Sequence, residues 1–558
     1  MDYNILIGGS AGQGMDTVSD FLEKAFKKKG VYIFSNKDYM SRVRGGHNFT
    51  QIRFGTEPLY SHKQDLDLIL ALDENTVLLH KDRLKKDGII ILDESINVED
   101  NRIVKLPLKK TANNLGLPRA FTSVAAGIIL KYFSLHHEVE SLFGKKLSED
   151  IKNKNIEAIK LGYTLIDSKY SLKTTDLSNH LLINGNDAIA LGAIAGGLNF
   201  YSAYPMTPAT SIMTYLSKKQ VEVGIVVDQA EDEISAINFA IGASYAGARA
   251  MTGTSGGGFS LMVEALGLAG ITETPLVVVD SQRPGPATGL PTRTEQSDLS
   301  FLLTASHGEF PRIVLSVRNA EDAFYKTVKA LNLADKYQTL VLLLTDQYLA
   351  DSNVTIPRYD LNKVTIDRYI SNGDYLSPNE EYKRYEVTES GISPRLIPGN
   401  SKNQVVIVDS DEHTDEGHIT ESSAVRVAQM DKRFRKLSSI KEDLEEPEYF
   451  GEEDIDILLL GWGSTYGALK DAVNILTNLN VKVGALSFGD IYPLPTENLN
   501  KYSKKAKKII NVEQNFTGQL GKLITQETGI LMTDSVLKYD GCQITGNEVV
   551  NKIIKEEF

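Results

Sequence analysis

The sequence holds 558 residues, 42% of them hydrophobic and 24% charged, with 60 Lys and Arg against 73 Asp and Glu and a formal charge of −13. Such a length exceeds one core and calls for about three or four domains of roughly 100–200 residues, and the acidic balance argues against a general nucleic-acid or anionic-membrane surface. The single cysteine, Cys542, excludes an internal disulfide and a cluster that takes four cysteines, so a redox metal must come from another chain.

The opening MDYNILIGGSAGQG enters a strand at once, with no basic leader, and no apolar run approaches a membrane span. A cytoplasmic protein is expected, with small molecules and proteins as partners, no nucleic acid and no membrane. Asn4 to Ile7 reads as a buried strand and Thr17 to Lys29 as an amphipathic helix carrying Val18, Phe21, Leu22 and Phe26. Strands at VYIFS, LDLILAL and GIIILDE follow, so an α/β domain with a mostly parallel sheet is predicted, ending near residue 178. Between the first strand and helix, Gly9, Ser10, Gly12, Gln13 and Gly14 form a loop that fits a CoA or nucleotide phosphate and equally a structural turn. In SRVRGGHNFTQIRFG, Arg42 and Arg44 flank two glycines, where they would grip a phosphate or form a solvated basic hairpin.

A second domain, 179–350, begins with a small-residue helix and the corner YPMTPAT, where Thr207 caps a helix or binds a carboxylate. VEVGIVVDQA reads as a strand running into Glu231, Asp232 and Glu233, which open the helix ISAINFAIGASYAGA. That helix is small or apolar on nearly every side, so one or two of its leading carboxylates are drawn into packing. A buried carboxylate is what proton-shuttling chemistry requires. Arg283 follows the strand PLVVVDSQ, at the edge where open sheets bind ligands, and suits a carboxylate.

Periodicity fades over 351–454, which reads as a linker with a strand at VVIV and a substrate-proximal loop bearing Asp411. His413 and His418 lie in that loop without a metal-ligand ladder, and no metal site is expected there. From Ile455 an α/β pattern restarts, with Gly461, Gly463 and Ser464 at a first turn that is structural by preference.

Three motifs in order, YPMTPAT, QAEDEISAINFAIGASYAGARAMTGTSGGGFSLM and DSQRPGPATGLPTRTEQSDL, resemble the α subunit of 2-oxoacid:ferredoxin oxidoreductases, thiamine diphosphate enzymes. GGSAGQGMDT and SRVRGGHNFTQIR resemble the γ domain that some of these subunits carry fused. The resemblance implies an α/β fold of three parts: a γ-type domain over 1–178, a pyrimidine-binding domain over 179–350, and a transketolase-C-like domain over 455–558 after the linker. It implies oxidative decarboxylation of a 2-oxoacid, 2-oxoglutarate favoured, with CoA to acyl-CoA, carbon dioxide and reduced ferredoxin. Glu233, or Glu231 two residues earlier, would set the tautomer of the aminopyrimidine. Tyr204, Pro205, Thr254, Ser255, Gly256 and Gly257 would line the cofactor, and Thr207, Arg283, Thr292, Arg293 and Asp411 the substrate. Where relatives often carry TSGPG this chain has TSGGG, a change expected to loosen the loop. No C-x-x-C and no evident G-D-G motif is present, so a β subunit is expected to bring the diphosphate site with magnesium and the [4Fe-4S] centre. The alternatives are a pyruvate- or indolepyruvate-type enzyme, a thiamine dehydrogenase that feeds lipoyl, and a non-catalytic CoA- or nucleotide-binding scaffold.

Overall fold

The computed structural model describes residues 2–40, 45–135, 139–143, 147–377, 380–402 and 404–557. The chain divides into two compact units, the first built from Met1–Asn184, Asp351–Arg358 and Thr545–Asn547, the second from Gly185–Ala350, Tyr359–Ile544 and Glu548–Phe558.

In the first unit the strands are β1 (Asp2–Gly9), β2 (Tyr32–Asp38), β3 (Asn48–Gly55), β4 (Leu66–Ala71), β5 (Leu84–Asp93), β6 (Ile103–Leu106) and β7 (His180–Ile183). With the later strand Asn353–Pro357 they form one sheet in the order β6-β5-β4-β1-β3-β2-(353–357)-β7. Only β1, β4, β5 and β6 run parallel; the other pairings are antiparallel, so the sheet is mixed rather than mostly parallel. The difference arises at FTQIRFG, which the sequence hid in a loop. It is β3, paired with β1 from Asp2↔Gly55 to Gly9↔Asn48. Its polar positions are buried too, because Arg53 donates to Asp2 at 2.6 Å and to the Ser61 carbonyl at 3.0 Å, and burial on both faces erases the alternation of a half-exposed strand. Helices α1 (Met15–Lys28), α3 (Leu108–Asn114), α4 (Phe121–Tyr132) and α5 (Glu149–Tyr163) cover one face, and α2 (Glu74–His80) packs on the other through Val77.

The second unit carries helices α6 (Gly185–Ala195), α7 (Thr210–Val223), α8 (Glu233–Tyr245), α9 (Gly256–Ile271), α10 (Leu299–Thr304) and α11 (Ala320–Tyr337). Its first sheet contains β8 (Phe200–Ala203), β9 (Val226–Gln229), β10 (Ala250–Thr254), β11 (Leu276–Gln282), β12 (Arg312–Ser316) and β13 (Leu340–Asp346). Their order is β12-β13-β11-β10-β8-β9, all parallel, with the short strand Asp490–Tyr492 antiparallel outside β12. The stretch VEV, expected in the strand, instead completes α7, which stops at Gly224 in the left-handed region (φ 71°) before β9 begins. A second sheet centres on Ile457–Trp462, and Leu458, Leu460 and Trp462 share one apolar core with Ile237, Phe259 and Leu302 of α8, α9 and α10.

The segment 359–447 is not a plain linker. It contains the 21-residue helix Ser423–Asp443, capped by Ser422, whereas residues 404–409 form no strand. The helix buries Gln429, Lys432, Arg433 and Lys436 against the rest of its unit. Lys432 and Lys436 both donate to Glu273, just past the end of α9, the former at 2.6 Å. Burial alone would push the Glu273 carboxyl up, but the two ammonium groups hold it well below the usual range. Asp335 on α11 likewise takes Arg249 at 2.9 Å, Arg395 at 2.7 Å and Arg368 at 2.9 Å. Among the described residues no helix is long and apolar enough to cross a membrane.

Candidate active site

The acidic triplet separates into three environments. Asp232 is the N-cap of α8, accepting from the Ser235 N–H at 2.7 Å, so the capping task leaves Glu233 free. Glu233, first residue of the helix, is 3% exposed and its Oε1 has no hydrogen-bond partner among the described residues, whereas Glu231 lies exposed. A buried, unanswered carboxylate oxygen is costly unless a donor arrives. Facing it is the first turn of α9: a Cβ on Gly258 would stand 2.5 Å from Glu233 Oε1 and 2.1 Å from Thr254 Oγ1. Glycine is therefore required at 258 by close approach, and the notch it leaves is a cradle beside the carboxylate.

The stretch TSGGG passes directly from strand into helix. Thr254 ends β10, Ser255 is the N-cap of α9 with its Oγ buried and unpartnered, and Gly256, Gly257 and Gly258 are helical. Gly256 is pressed by Asp298, whose carboxyl oxygen would lie 2.6 Å from an added Cβ. Gly256 and Gly258 make room for neighbouring acids.

The corner after β8 closes the site on another side. Thr207 precedes Pro208 through a cis peptide and does not cap α7, which starts at Thr210 after Ala209; Pro208 thus lies ahead of the helix rather than in its first turn. The Thr207 carbonyl accepts from Arg283 Nη1 at 2.8 Å, and Met206 Sδ lies 3.8 Å from Thr254 Oγ1. Tyr204 is exposed and Pro205 half-buried on the same turn. Beyond Arg283 the loop doubles back, Leu290 N–H donating to the Pro284 carbonyl at 3.0 Å. Thr292 is 9% exposed and Arg293 half-buried near Gly541.

Sequence reasoning missed a group of acids beneath this site. Asp280, on β11, is fully buried with both carboxyl oxygens unpartnered. It faces Asp298, and burial together with that neighbour raises its proton affinity well above the ordinary range. Asp298 is pushed up to about 6 by burial, and nearby Glu295 to about 7 by burial and the Asp298 charge. The signal was a lone acid at an inward position of the apolar strand LVVVDSQ, in register with Thr254.

Asp411 lies elsewhere. Tyr245 at the end of α8 donates to the Val406 carbonyl at 2.9 Å, and His413 stacks on Tyr385, whose hydroxyl reaches Thr272 past the end of α9. The segment thus sits at the C-terminal ends of the helices whose N-termini carry Glu233 and the glycines, roughly 20 Å along α8 at 1.5 Å per residue. His418 is exposed, 3.6 Å from Glu381. Ser464 is buried and bonded to Gln514 at 3.3 Å.

In the first unit, Gly12 (φ 91°) and Gly14 (φ 86°) turn the chain into α1, and Gln13 folds back so that Oε1 accepts from the Ser10 N–H at 2.8 Å. Ser10 Oγ donates to Asp73 at 3.0 Å, and Gly9 lies against Gln13 and Leu72. Gly12, Gln13 and Gly14 border a cavity of about 780 Å³ whose walls include Phe121, Phe143, Lys24 and Arg119. Arg42 and Arg44 lie outside the described residues. His47 Nε2 is 2.8 Å from His80 Nε2, and burial with Arg83 alongside lowers His80 to about 3, so that ring is neutral.

Residues 191–432 match the family model described as pyruvate flavodoxin/ferredoxin oxidoreductase, thiamine diphosphate-binding, which places the unit holding Glu233 in the thiamine-diphosphate-binding class. Residues 4–165 match pyruvate ferredoxin/flavodoxin oxidoreductase, and 455–549 match pyruvate:ferredoxin oxidoreductase core domain II. The 2-oxoacid:ferredoxin oxidoreductase subunit alpha of Sulfolobus sp is 34% identical, covering 100% of this chain and 97% of that protein. The 2-oxoglutarate synthase subunit KorA of Archaeoglobus fulgidus is 34% identical over 61% of this chain and 89% of its own length. Among solved structures, a 2-oxoglutarate:ferredoxin oxidoreductase from Magnetococcus marinus, with 2-oxoglutarate, coenzyme A and succinyl-CoA bound, aligns with a TM-score of 0.93 at 35% identity, covering 100% of this chain and 99% of that one. The chain belongs to the α subunits of the 2-oxoacid:ferredoxin oxidoreductases. It is an oxidoreductase subunit that works with other subunits.

Proposed function

We propose that this subunit contributes the pyrimidine half of a thiamine diphosphate site and catalyses, within its complex, oxidative decarboxylation of 2-oxoglutarate with CoA to succinyl-CoA. The observation that carries the reading is Glu233, a buried carboxylate with one unanswered oxygen over the Gly258 notch. Bound there, the cofactor would supply carbanion stabilisation and an electron sink. Glu233 Oε1 would hold a proton against a ring nitrogen, while Ser255 Oγ and the free N–H groups of α9 offer further polar contacts. Arg283, anchored on the Thr207 carbonyl, would take the 2-oxoacid carboxylate, and Arg293 the second carboxylate, with Thr207 and Thr292 lining the path. A β subunit would bring the diphosphate site, magnesium and the [4Fe-4S] centre, and reduced ferredoxin would carry electrons away; the complex would work in the cytoplasm. The division into a γ-type part, a pyrimidine-binding part, a connecting segment and a transketolase-C-like part remains our proposal for its organisation.

Substrate choice is tested with a panel of 2-oxoacids against the assembled enzyme. Arg293→Ala is expected to cut kcat/KM for 2-oxoglutarate about 10- to 100-fold, the worth of one charged hydrogen bond, and to leave pyruvate within about threefold. Equal losses on both substrates would remove Arg293 from the site and the preference with it.

The cavity beside α1 suits CoA, with apolar walls for the pantetheine arm, the Ser10–Gly14 loop and α1 N-terminus for phosphate, and Lys24 and Arg119 as cations. Arg119→Ala is expected to raise KM for CoA by about tenfold or more without changing KM for the 2-oxoacid. Unchanged CoA dependence would place CoA elsewhere.

A further inference from the structure

The carboxyl pair under the glycine turn is unlike the buried acids Glu273, Asp335 and Asp346 of this unit. Glu273 and Asp335 are answered by cations, and Asp346, pushed up to about 6 by burial, accepts from the Leu349 N–H at 3.0 Å. Among the described residues Asp280 has no donor for either oxygen, and Asp298 Oδ2 has none. A proton held between the two side chains would satisfy buried carboxyl oxygens that otherwise lack a donor. Its location gives this proton a role. Asp280 follows the core positions Leu276 and Val278 on β11, and Arg283 leaves the same strand three residues later. Asp298 receives the electrostatic pull of Arg283, presses on Gly256 at the α9 N-terminus, and has its own N–H bound to Gln282 Oε1 at 3.1 Å.

We propose that Asp280 and Asp298 share one proton beneath Arg283, and that binding of a 2-oxoacid carboxylate to Arg283 draws a second proton onto the pair. The inference rests on the reading of Arg283 as the carboxylate's partner. The charge balance is simple. With one proton the pair carries −1, which offsets Arg283; an arriving carboxylate competes for the same guanidinium, and uptake of a proton from solvent by Asp298 removes the competitor. Asp280 and Asp298 are positioning residues, acting through Arg283. The other charged group facing Asp298 is Glu295 on the loop before it, itself opposite Asp540, while Glu233 lies against Gly258, two residues along α9 from the Gly256 that Asp298 presses on. The sign follows from Asp298: below about pH 6 it is neutral and carboxylate binding is tight, and above that value each bound anion must first recruit a proton.

The test uses the assembled enzyme and glutarate, which has both carboxylates and no keto group, as a competitor of 2-oxoglutarate. In the wild type its Ki is expected to weaken about fivefold from pH 6 to pH 8, given a coupling of about one pK unit. Asp298→Asn is expected to hold Ki near its low-pH value throughout, and Asp280→Asn, which replaces a protonated carboxyl donor by a weaker amide donor, to move the midpoint above that of the wild type. Calorimetry of glutarate binding in two buffers of different ionisation enthalpy should show proton uptake near pH 7 in the wild type and none in Asp298→Asn. A flat wild-type profile, or one that survives Asp298→Asn and disappears in Glu295→Gln, overturns the inference while leaving the Arg283 reading intact. Failure of glutarate to compete, together with an unchanged KM for 2-oxoglutarate in Arg283→Met, overturns both.

Discussion

Glu233→Gln, in the assembled enzyme, is expected to slow 2-oxoacid-dependent dye reduction by about 10²- to 10⁴-fold, the range set by loss of a positioned acid or base. Gln keeps the volume and the α8 cap belongs to Asp232, so assembly should be unchanged on size-exclusion chromatography. The expected loss lies in kcat, since an amide can still occupy the site but cannot exchange the proton. Glu231→Gln, on an exposed carboxylate, is expected to stay within about twofold. Near-normal turnover in Glu233→Gln, or a large loss confined to Glu231→Gln, would move the chemistry away from the buried oxygen.

The second large effect concerns stability. Glu273→Gln leaves Lys432 and Lys436 buried at 0% and 1% side-chain exposure without a counter-charge, and breaking one partner of a buried ion pair costs about 3–5 kcal/mol. The thermal unfolding midpoint should fall by several degrees, while the triple change Glu273→Leu, Lys432→Met, Lys436→Met should recover most of it, because apolar groups of similar volume need no counter-charge. The acid side has a definite sign. Glu273 is held well below its unfolded value, so its contribution is complete above about pH 4.5 and is lost as pH falls further toward the folded value. Glu273→Gln should therefore lose more stability relative to wild type at pH 7 than at pH 3.

What could be read from the chain beforehand followed the visibility of burial in residue type. Glu233 was legible because an acidic triplet opened a helix with no polar face, so that something charged had to go inside. The helix Ser423–Asp443 was not, since its buried stripe is Gln429, Lys432, Arg433 and Lys436, and a hydrophobic pattern cannot report a face that is buried through ion pairs. Asp298 passed as an ordinary acid ahead of a helix, and its nearness to Asp280 depends on the loop after β11 folding back onto that strand. The order of Thr207, Arg283 and the glycines was plain in the motifs, whereas the path of residues 359–413 to the C-terminal end of α8 leaves no trace in local periodicity. The strand β3 was lost for a related reason: Arg53 and Gln51 are polar and inside.

The sheet of the first unit also sets a clock. Asn353–Pro357 bridges β2 and β7, pairing Val354 with Phe34 on one side and with Ile183 on the other. A ribosome that has finished β7 must still translate all of Gly185–Ala350 before the missing strand appears, roughly ten seconds or more at about 5–20 residues per second. Throughout that interval β2 and β7 present open edges, each a template for a stray strand from a neighbouring nascent chain. A chaperone that shields strand edges is thus expected to raise the yield of this subunit more than one that shields apolar helices, and slowing synthesis over Gly185–Ala350 is expected to lower it.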